Sequence, residues 1–207
     1  LPNLNRKESW TDVGIEAPKG VVEQEIRKGS EPKSYATIYY HGKTDYNDLP
    51  NYKLSSLGEV VTNKLIDILR EEKSGVYGVG ANAGMMRLPN EKYYFRIAFP
   101  CGPENVDDLV ETTHDILKDI KKNGVTEEDL NKIKQAQFKG LEEDLKQNNY
   151  WMNRLYSFYY YGDDLSDFMN SKERIEDLTT EDLKIVANEF LNEDQYVEAI
   201  LLPEEAE

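Results

Sequence analysis

Val106, Leu109, Val110, Thr113, Ile116, Leu117 and Ile120 recur at steps of three and four, which places one apolar stripe on a helix. Immediately before them, Tyr93, Phe95, Ile97 and Phe99 alternate along Lys92 to Pro100, the period of a strand with one buried face. A chain that switches from period two to period 3.6 in this way has to bury a sheet face under helices.

The rest of the sequence extends this pattern. Val21 to Ile26 and Tyr35 to His41 are rich in β-formers, with turn residues at Gly29 to Lys33 between them, so a hairpin or two neighbouring strands is expected. From about Leu49 to Glu72 the period is helical, carried by Leu54, Leu57, Val61, Leu65, Ile68 and Leu69 and stopped at Ser74-Gly75. Val76 to Met86 is a Gly- and Ala-rich β region, and Pro89-Asn90 turns it into Lys92 to Pro100 as an antiparallel hairpin.

Helices dominate the second half. Thr126 with Asp129, and Thr179 with Asp182, are N-terminal capping signals. Leu130, Ile133, Gln137, Leu141 and Leu145 form the stripe of the first of these helices. A further helix spans Tyr150 to Tyr161 and ends at Gly162, and Gln195 to Leu202 is a closing strand. The expected fold class is α+β: a mixed, mainly antiparallel sheet covered on one face by helices. Residues 1–19, broken by Pro2, Gly14 and Pro18, are expected to be a connector or arm that Trp10 and Val13 pin to the body, and residues 20–207 to form the domain.

Composition narrows the function classes. With 207 residues the chain is long enough for a real core. Asp and Glu total 40 against 25 Lys and Arg, a net charge of −15, which repels phosphate backbones and lacks the basic face that anionic membranes attract. No nucleic-acid or membrane partner is expected. Mean hydropathy is −0.72, and no apolar run approaches a membrane span. Cys101 is alone, so no intramolecular disulfide can form. The chain opens Leu1-Pro2-Asn3, without Met or a leader pattern, and is expected to be a segment of a longer parent or a processed chain. Periplasm and cytoplasm both stay open as its compartment.

Few residues offer chemistry. Catalytic zinc needs about three protein ligands, and the two histidines, His41 and His114, lie far apart in sequence. Glu111 and His114, three apart on a helix, are half of a carboxylate-bridged metal site, but the plainer reading is a solvated helix face. His41, before Gly42, reads as a surface or loop histidine. Cys101 lacks a nearby histidine in sequence, and Gly78, Gly80 and Gly84 suit close backbone approach better than phosphate binding. Tyr150, Trp151, Tyr156, Phe158, Tyr159, Tyr160 and Tyr161 are expected to pack in the core and between helices; the alternative is the wall of a peptide chamber. Arg70 and Tyr77, seven apart across a helix-to-strand turn, are on the plain reading a helix-end cation and a strand residue. Together they can also aim an Arg donor and a Tyr hydroxyl at one peptide carbonyl.

The segment Leu69-Arg70-Glu71-Glu72-Lys73-Ser74-Gly75-Val76-Tyr77, running into the Gly78 to Gly84 strand, resembles the non-catalytic domains of the pitrilysin/insulysin zinc metallopeptidases. Lys28 to Ser34, the Lys92 to Phe99 hairpin, the Asn105 to Lys122 helix and the Thr126 helix start fit the same pattern, over about residues 20–202. The resemblance implies a clamshell peptidase in which another domain holds zinc through an inverted His-x-x-Glu-His motif. That motif is absent here, so no catalytic or metal-binding residue is assigned to this chain. The implied role is a domain that closes the chamber and contacts the peptide substrate, with Arg70 and Tyr77 as the substrate-binding pair. Zinc would sit in the parent enzyme, whose zinc-bearing half is the implied partner, and the fragment alone would be inactive. An inert structural or processing-complex subunit of the same fold, or a free-standing peptide- or protein-binding module, are the alternatives.

Overall fold

The computed structural model describes residues 9, 11, 13–73, 75, 76, 78–164, 166 and 169–204, with the backbone alone at Glu72. Five strands form one sheet: β1 (Val21–Arg27), β2 (Ser34–Lys43), β3 (Gly80–Met86), β4 (Lys92–Cys101) and β5 (Tyr196–Leu202), in the order β1-β5-β2-β4-β3. β1 runs parallel to β5 and every other pairing is antiparallel. The fold is α+β, and the β3–β4 hairpin forms as its sequence predicts. The expected pairing of β1 with β2 does not form: β5, from the far end of the chain, inserts between them.

One sheet face is the core. Ala36, Ile38 and Tyr40 of β2 and Phe95, Ile97 and Phe99 of β4 point the same way and are almost wholly buried. Against them lie Leu54, Leu57 and Val61 of α1 (Asp48–Leu65), Leu109 and Ile120 of α2 (Val106–Asn123), and Leu183 and Phe190 of α6 (Thr180–Phe190). Each such side chain contributes about 1.5–3 kcal/mol of transfer free energy. The α2 stripe is buried at all seven positions that its period predicts. In α3 (Glu127–Asp144) only Leu130 and Ile133 are buried, and the rest of the predicted stripe fades, with Leu145 exposed beyond the helix end. Gln137 and Leu141 are half-buried, with Gln137 bonded to Tyr52, Ser56 and Glu59. Thr126 and Thr179 each close a full capping box.

The outer edge of β3 is covered by α1. Asn51, Gly58 and Thr62 share one helix face; Ala81 N donates to Thr62 Oγ1 at 2.8 Å and Met85 N to Asn51 Oδ1 at 2.7 Å. A Cβ on Gly58 would lie 3.3 Å from Ala83 Cβ, so glycine lets the helix approach the strand. Backbone groups that would otherwise form an open edge are thereby satisfied.

The sheet face opposite the core carries Tyr35, Thr37 and Tyr39 of β2, Tyr94 and Arg96 of β4, and Val197 and Ala199 of β5, all half-buried to exposed. Residues 13–20 cross one end of it. Val13 is 78% exposed and pins nothing, contrary to expectation, while Trp10 lies outside the described residues. The arm is held instead by the Glu16–Lys43 ion pair at 2.7 Å and by hydrogen bonds to Gln195.

The tyrosine-rich helix α4 (Asn148–Tyr161) departs most from the sequence reading. None of its residues is buried. Trp151, Met152, Leu155, Tyr156, Tyr159 and Tyr160 are all exposed, so the expected core packing does not occur. At this helical spacing they share one side of α4, with Tyr156 and Tyr160 stacked 5.2 Å apart. Its anchoring comes from the other side, where Tyr161 lies under the Arg87 guanidinium. A short helix, α5 (Ser171–Asp177), precedes α6.

Candidate functional site

After Leu65 the first helix widens into a π-helix, Ile66–Glu72. Leu69 is fully buried within it, and Lys73 N donates to Ile68 O at 3.0 Å, a step of five residues. Gly75 N then donates to Leu69 O at 2.9 Å and closes the turn. Gly75 is required by close approach: a Cβ there would lie 2.8 Å from Leu109 Cδ2 on α2. Lys73 Nζ to Asp108 Oδ2, at 2.6 Å, ties the same turn to α2.

Arg70 sits on the last turn of this π-helix. Its Nε lies 3.5 Å from Glu71 Oε1, and both side chains are more than half exposed. Such a pair is worth little in water and is readily exchanged for another acceptor. Tyr77 lies outside the described residues. Its neighbour Val76 bridges Cys101, the last residue of β4, which itself pairs with Ser34 at the start of β2. The turn after Arg70 therefore returns to the sheet at that end.

The remaining candidates resolve differently. His114 does not pair with Glu111 and is not on a solvated face: its Nε2 lies 2.8 Å from Glu198 Oε2 on β5, and its Nδ1 3.5 Å from the Tyr40 hydroxyl. Among the described residues no group of three or more His, Cys, Asp or Glu side chains is arranged to hold a metal ion. His41 is not a surface histidine. It is 6% exposed on β2 and stacks against Tyr39 at 5.5 Å, and burial, then the Lys92 ammonium, holds its imidazole below the usual value. Cys101 is buried, and that burial, with Glu104 adding to it, pushes its thiol up to about 11, far from a thiolate nucleophile. Gly84 does serve close approach, with Asn51 Oδ1 3.3 Å from where its Cβ would be, whereas Gly78 and Gly80 have open space.

One cluster was invisible in the sequence. Arg87, just past β3, lies over the Tyr46 ring at 3.8 Å and the Tyr161 ring at 4.5 Å, and pairs with Asp163 at 2.6 Å and Asp48 at 3.6 Å. No local pattern joins residues so far apart in the chain.

The comparisons with known proteins give a family, curated relatives and solved structures of the same fold. The model of the peptidase M16 inactive domain matches residues 1–137. A probable zinc protease, PqqL, from Haemophilus influenzae is 34% identical over 103 residues, covering 49% of this chain and 11% of that protein. The crystal structure of a protease from Helicobacter pylori superposes with a TM-score of 0.79 at 22% identity, over 98% of this chain and 49% of that one. The periplasmic protease PqqL from Escherichia coli gives 0.76 at 18% identity, over 96% of this chain and 23% of that one. The chain thus spans a small part of its curated relatives' length. With a family match over more than half of its residues, this chain belongs to the peptidase M16 inactive-domain family.

Proposed function

We propose that this chain is the non-catalytic, chamber-closing and substrate-contacting domain of a zinc-dependent metalloendopeptidase. The observation that carries the reading is the sheet face opposite the core, with half-buried to exposed Tyr35, Tyr39, Tyr94 and Arg96, together with a second, exposed aromatic surface on α4. An isolated domain rarely leaves this much aromatic surface to water unless it meets a partner or a ligand. Tyr and Arg together suit peptides, since they offer apolar area and hydrogen-bond donors at once.

In this reading the zinc belongs to another half of the parent protein, since no group of three or more His, Cys, Asp or Glu among the described residues is arranged to hold it. Arg70 and Tyr77 are the peptide-contacting pair. The Arg70 guanidinium exchanges Glu71 for a substrate carbonyl or carboxylate, and the Tyr77 hydroxyl donates to the carbonyl under attack. The relatives named as zinc proteases support the peptidase class.

Mixing the purified chain with the zinc-bearing half of its parent tests the proposal. Peptide cleavage is expected from the mixture and not from the chain alone. A mixture that associates but leaves peptides intact would favour an inert structural subunit.

A further inference from the structure

We propose that the buried His41 imidazole is a pH-operated catch for the arm formed by residues 13–20. Gln195, just before β5, is the piece that it controls. Gly20 N donates to Gln195 Oε1 at 2.9 Å, which fixes the orientation of the amide. The Gln195 NH2 group then has two neighbours, Pro18 O at 2.9 Å and His41 Nε2 at 3.3 Å. An NH2 group only donates, so His41 Nε2 must accept, and the ring proton is on Nδ1. The arm is thus fastened through a neutral histidine of defined tautomer.

Protonation reverses this contact. An imidazolium carries N–H on both nitrogens, so Nε2–H would face the Gln195 NH2 group, donor against donor. Gln195 can relieve the clash only by turning away, and its bonds to Pro18 and Gly20 go with it. Those two bonds and the exposed Glu16–Lys43 pair are among the arm's polar attachments to the sheet. The arm and the sheet end enclose a cavity of about 390 Å³, so water has a route to the freed groups.

The charged groups around His41 act in both directions. Lys92 on β4, Lys43 on β2 and Lys19 on the arm oppose a second positive charge, while Glu16 on the arm and Glu91 before β4 favour it. Glu16 is ion-paired with Lys43. Tyr39 is stacked on the ring, and burial raises its hydroxyl above the ordinary value; Tyr94 is the cross-strand neighbour of His41. Burial and Lys92 lower the His41 value, so the catch is closed near neutrality. Opening begins as the pH falls below about 6.5 and completes as it passes through the lower value in the folded protein.

Hydrogen exchange of this chain at pH 7.5 and 5.5, corrected for intrinsic rates, tests the catch. Exchange at residues 13–20 is expected to accelerate at the lower pH by up to about tenfold per pH unit between about 6.5 and the folded His41 value, while β4 amides stay protected. His41→Phe should abolish that acceleration, His114→Gln should keep it, and Gln195→Ala should free the arm at both pH values. The proposal is overturned by an arm that exchanges alike at both pH values. It is equally overturned if acceleration survives in His41→Phe, disappears in His114→Gln or is shared by β4. If His41→Phe does not fold, an arm that remains protected in Gln195→Ala at pH 7.5 overturns it instead.

Discussion

Arg87 Nη1 lies 2.6 Å from Asp163 Oδ1, joining the end of the β3–β4 hairpin to the segment that follows α4. Both side chains are about four-fifths buried, so this pair is far less screened than the exposed ones elsewhere on the surface. The Arg87 guanidinium is also held between the Tyr46 and Tyr161 rings, and Ser157 donates to Asp163 Oδ2 at 2.6 Å. These contacts hold α4, a helix with no buried residue of its own.

Arg87→Ala should therefore loosen α4 and lower overall stability by about 2 kcal/mol, from the lost cation–π contacts and an orphaned carboxylate. The pH dependence carries a sign. Burial alone would raise the Asp163 value, but hydrogen bonds from Ser157 and Arg87 outweigh it and the carboxyl titrates below its ordinary range. A depressed carboxyl stabilises the fold above about pH 3.9, and that contribution is lost as the pH falls through the folded value. The difference in Tm between wild type and Arg87→Ala should be full at pH 6 and shrink below about pH 4. A difference that stays constant in acid would assign the Arg87 effect to ring stacking alone.

The exposed face of α4 predicts an unusual tolerance. Tyr159 is 81% exposed, so Tyr159→Ser should shift stability by no more than about 0.5 kcal/mol. A core tyrosine would cost several times that on truncation, about 3–5 kcal/mol by analogy with buried aromatics. Urea unfolding of this single variant separates the two descriptions of the helix.

Gly75→Ala should act on the turn that carries Arg70. Its new Cβ would meet Leu109 Cδ2 at 2.8 Å, inside normal contact distance, so the buried Leu109 side chain, α2 or the turn has to shift. A cost of about 1–3 kcal/mol is expected from such overpacking. Pairing Gly75→Ala with Leu109→Ala should recover part of the cost of the glycine change, seen as a non-additive double-mutant cycle.

What the sequence made legible was whatever depends on local period and chemistry. The α2 stripe is buried at every expected position, and both Thr–Asp caps close as boxes, because each is decided within a few residues. The position of β5 between β1 and β2 could not be read from periodicity, since strand order is set by long-range pairing that leaves no local trace. The same holds for His41: its strand was recognised, but Gln195 and the arm that bury it come from distant parts of the chain. The tyrosines of α4 misled for a different reason. Helical spacing tells which side chains share a face, and it cannot say whether a neighbour exists to cover that face. Arg70 was legible as a helix-end cation, and the π-helical widening beneath it was not.

The Arg70 and Tyr77 roles are tested in the parent enzyme. Tyr77→Phe removes one hydroxyl donor and keeps the ring. If that hydroxyl supports the carbonyl under attack, kcat should fall by roughly 10- to 1,000-fold, as for other oxyanion donors, with little change in KM. Arg70→Ala should lower activity with a larger KM component, because a guanidinium grips the peptide before the reaction as well as during it. Neither change should cost much stability: Arg70 is more than half exposed in a weak ion pair, and Phe matches Tyr in shape. A purely structural role predicts the reverse, near-normal kinetics with a lower Tm wherever a buried hydrogen bond was lost. Measuring kcat, KM and Tm for both variants distinguishes the two, and wild-type kinetics in both would remove Arg70 and Tyr77 from the substrate site.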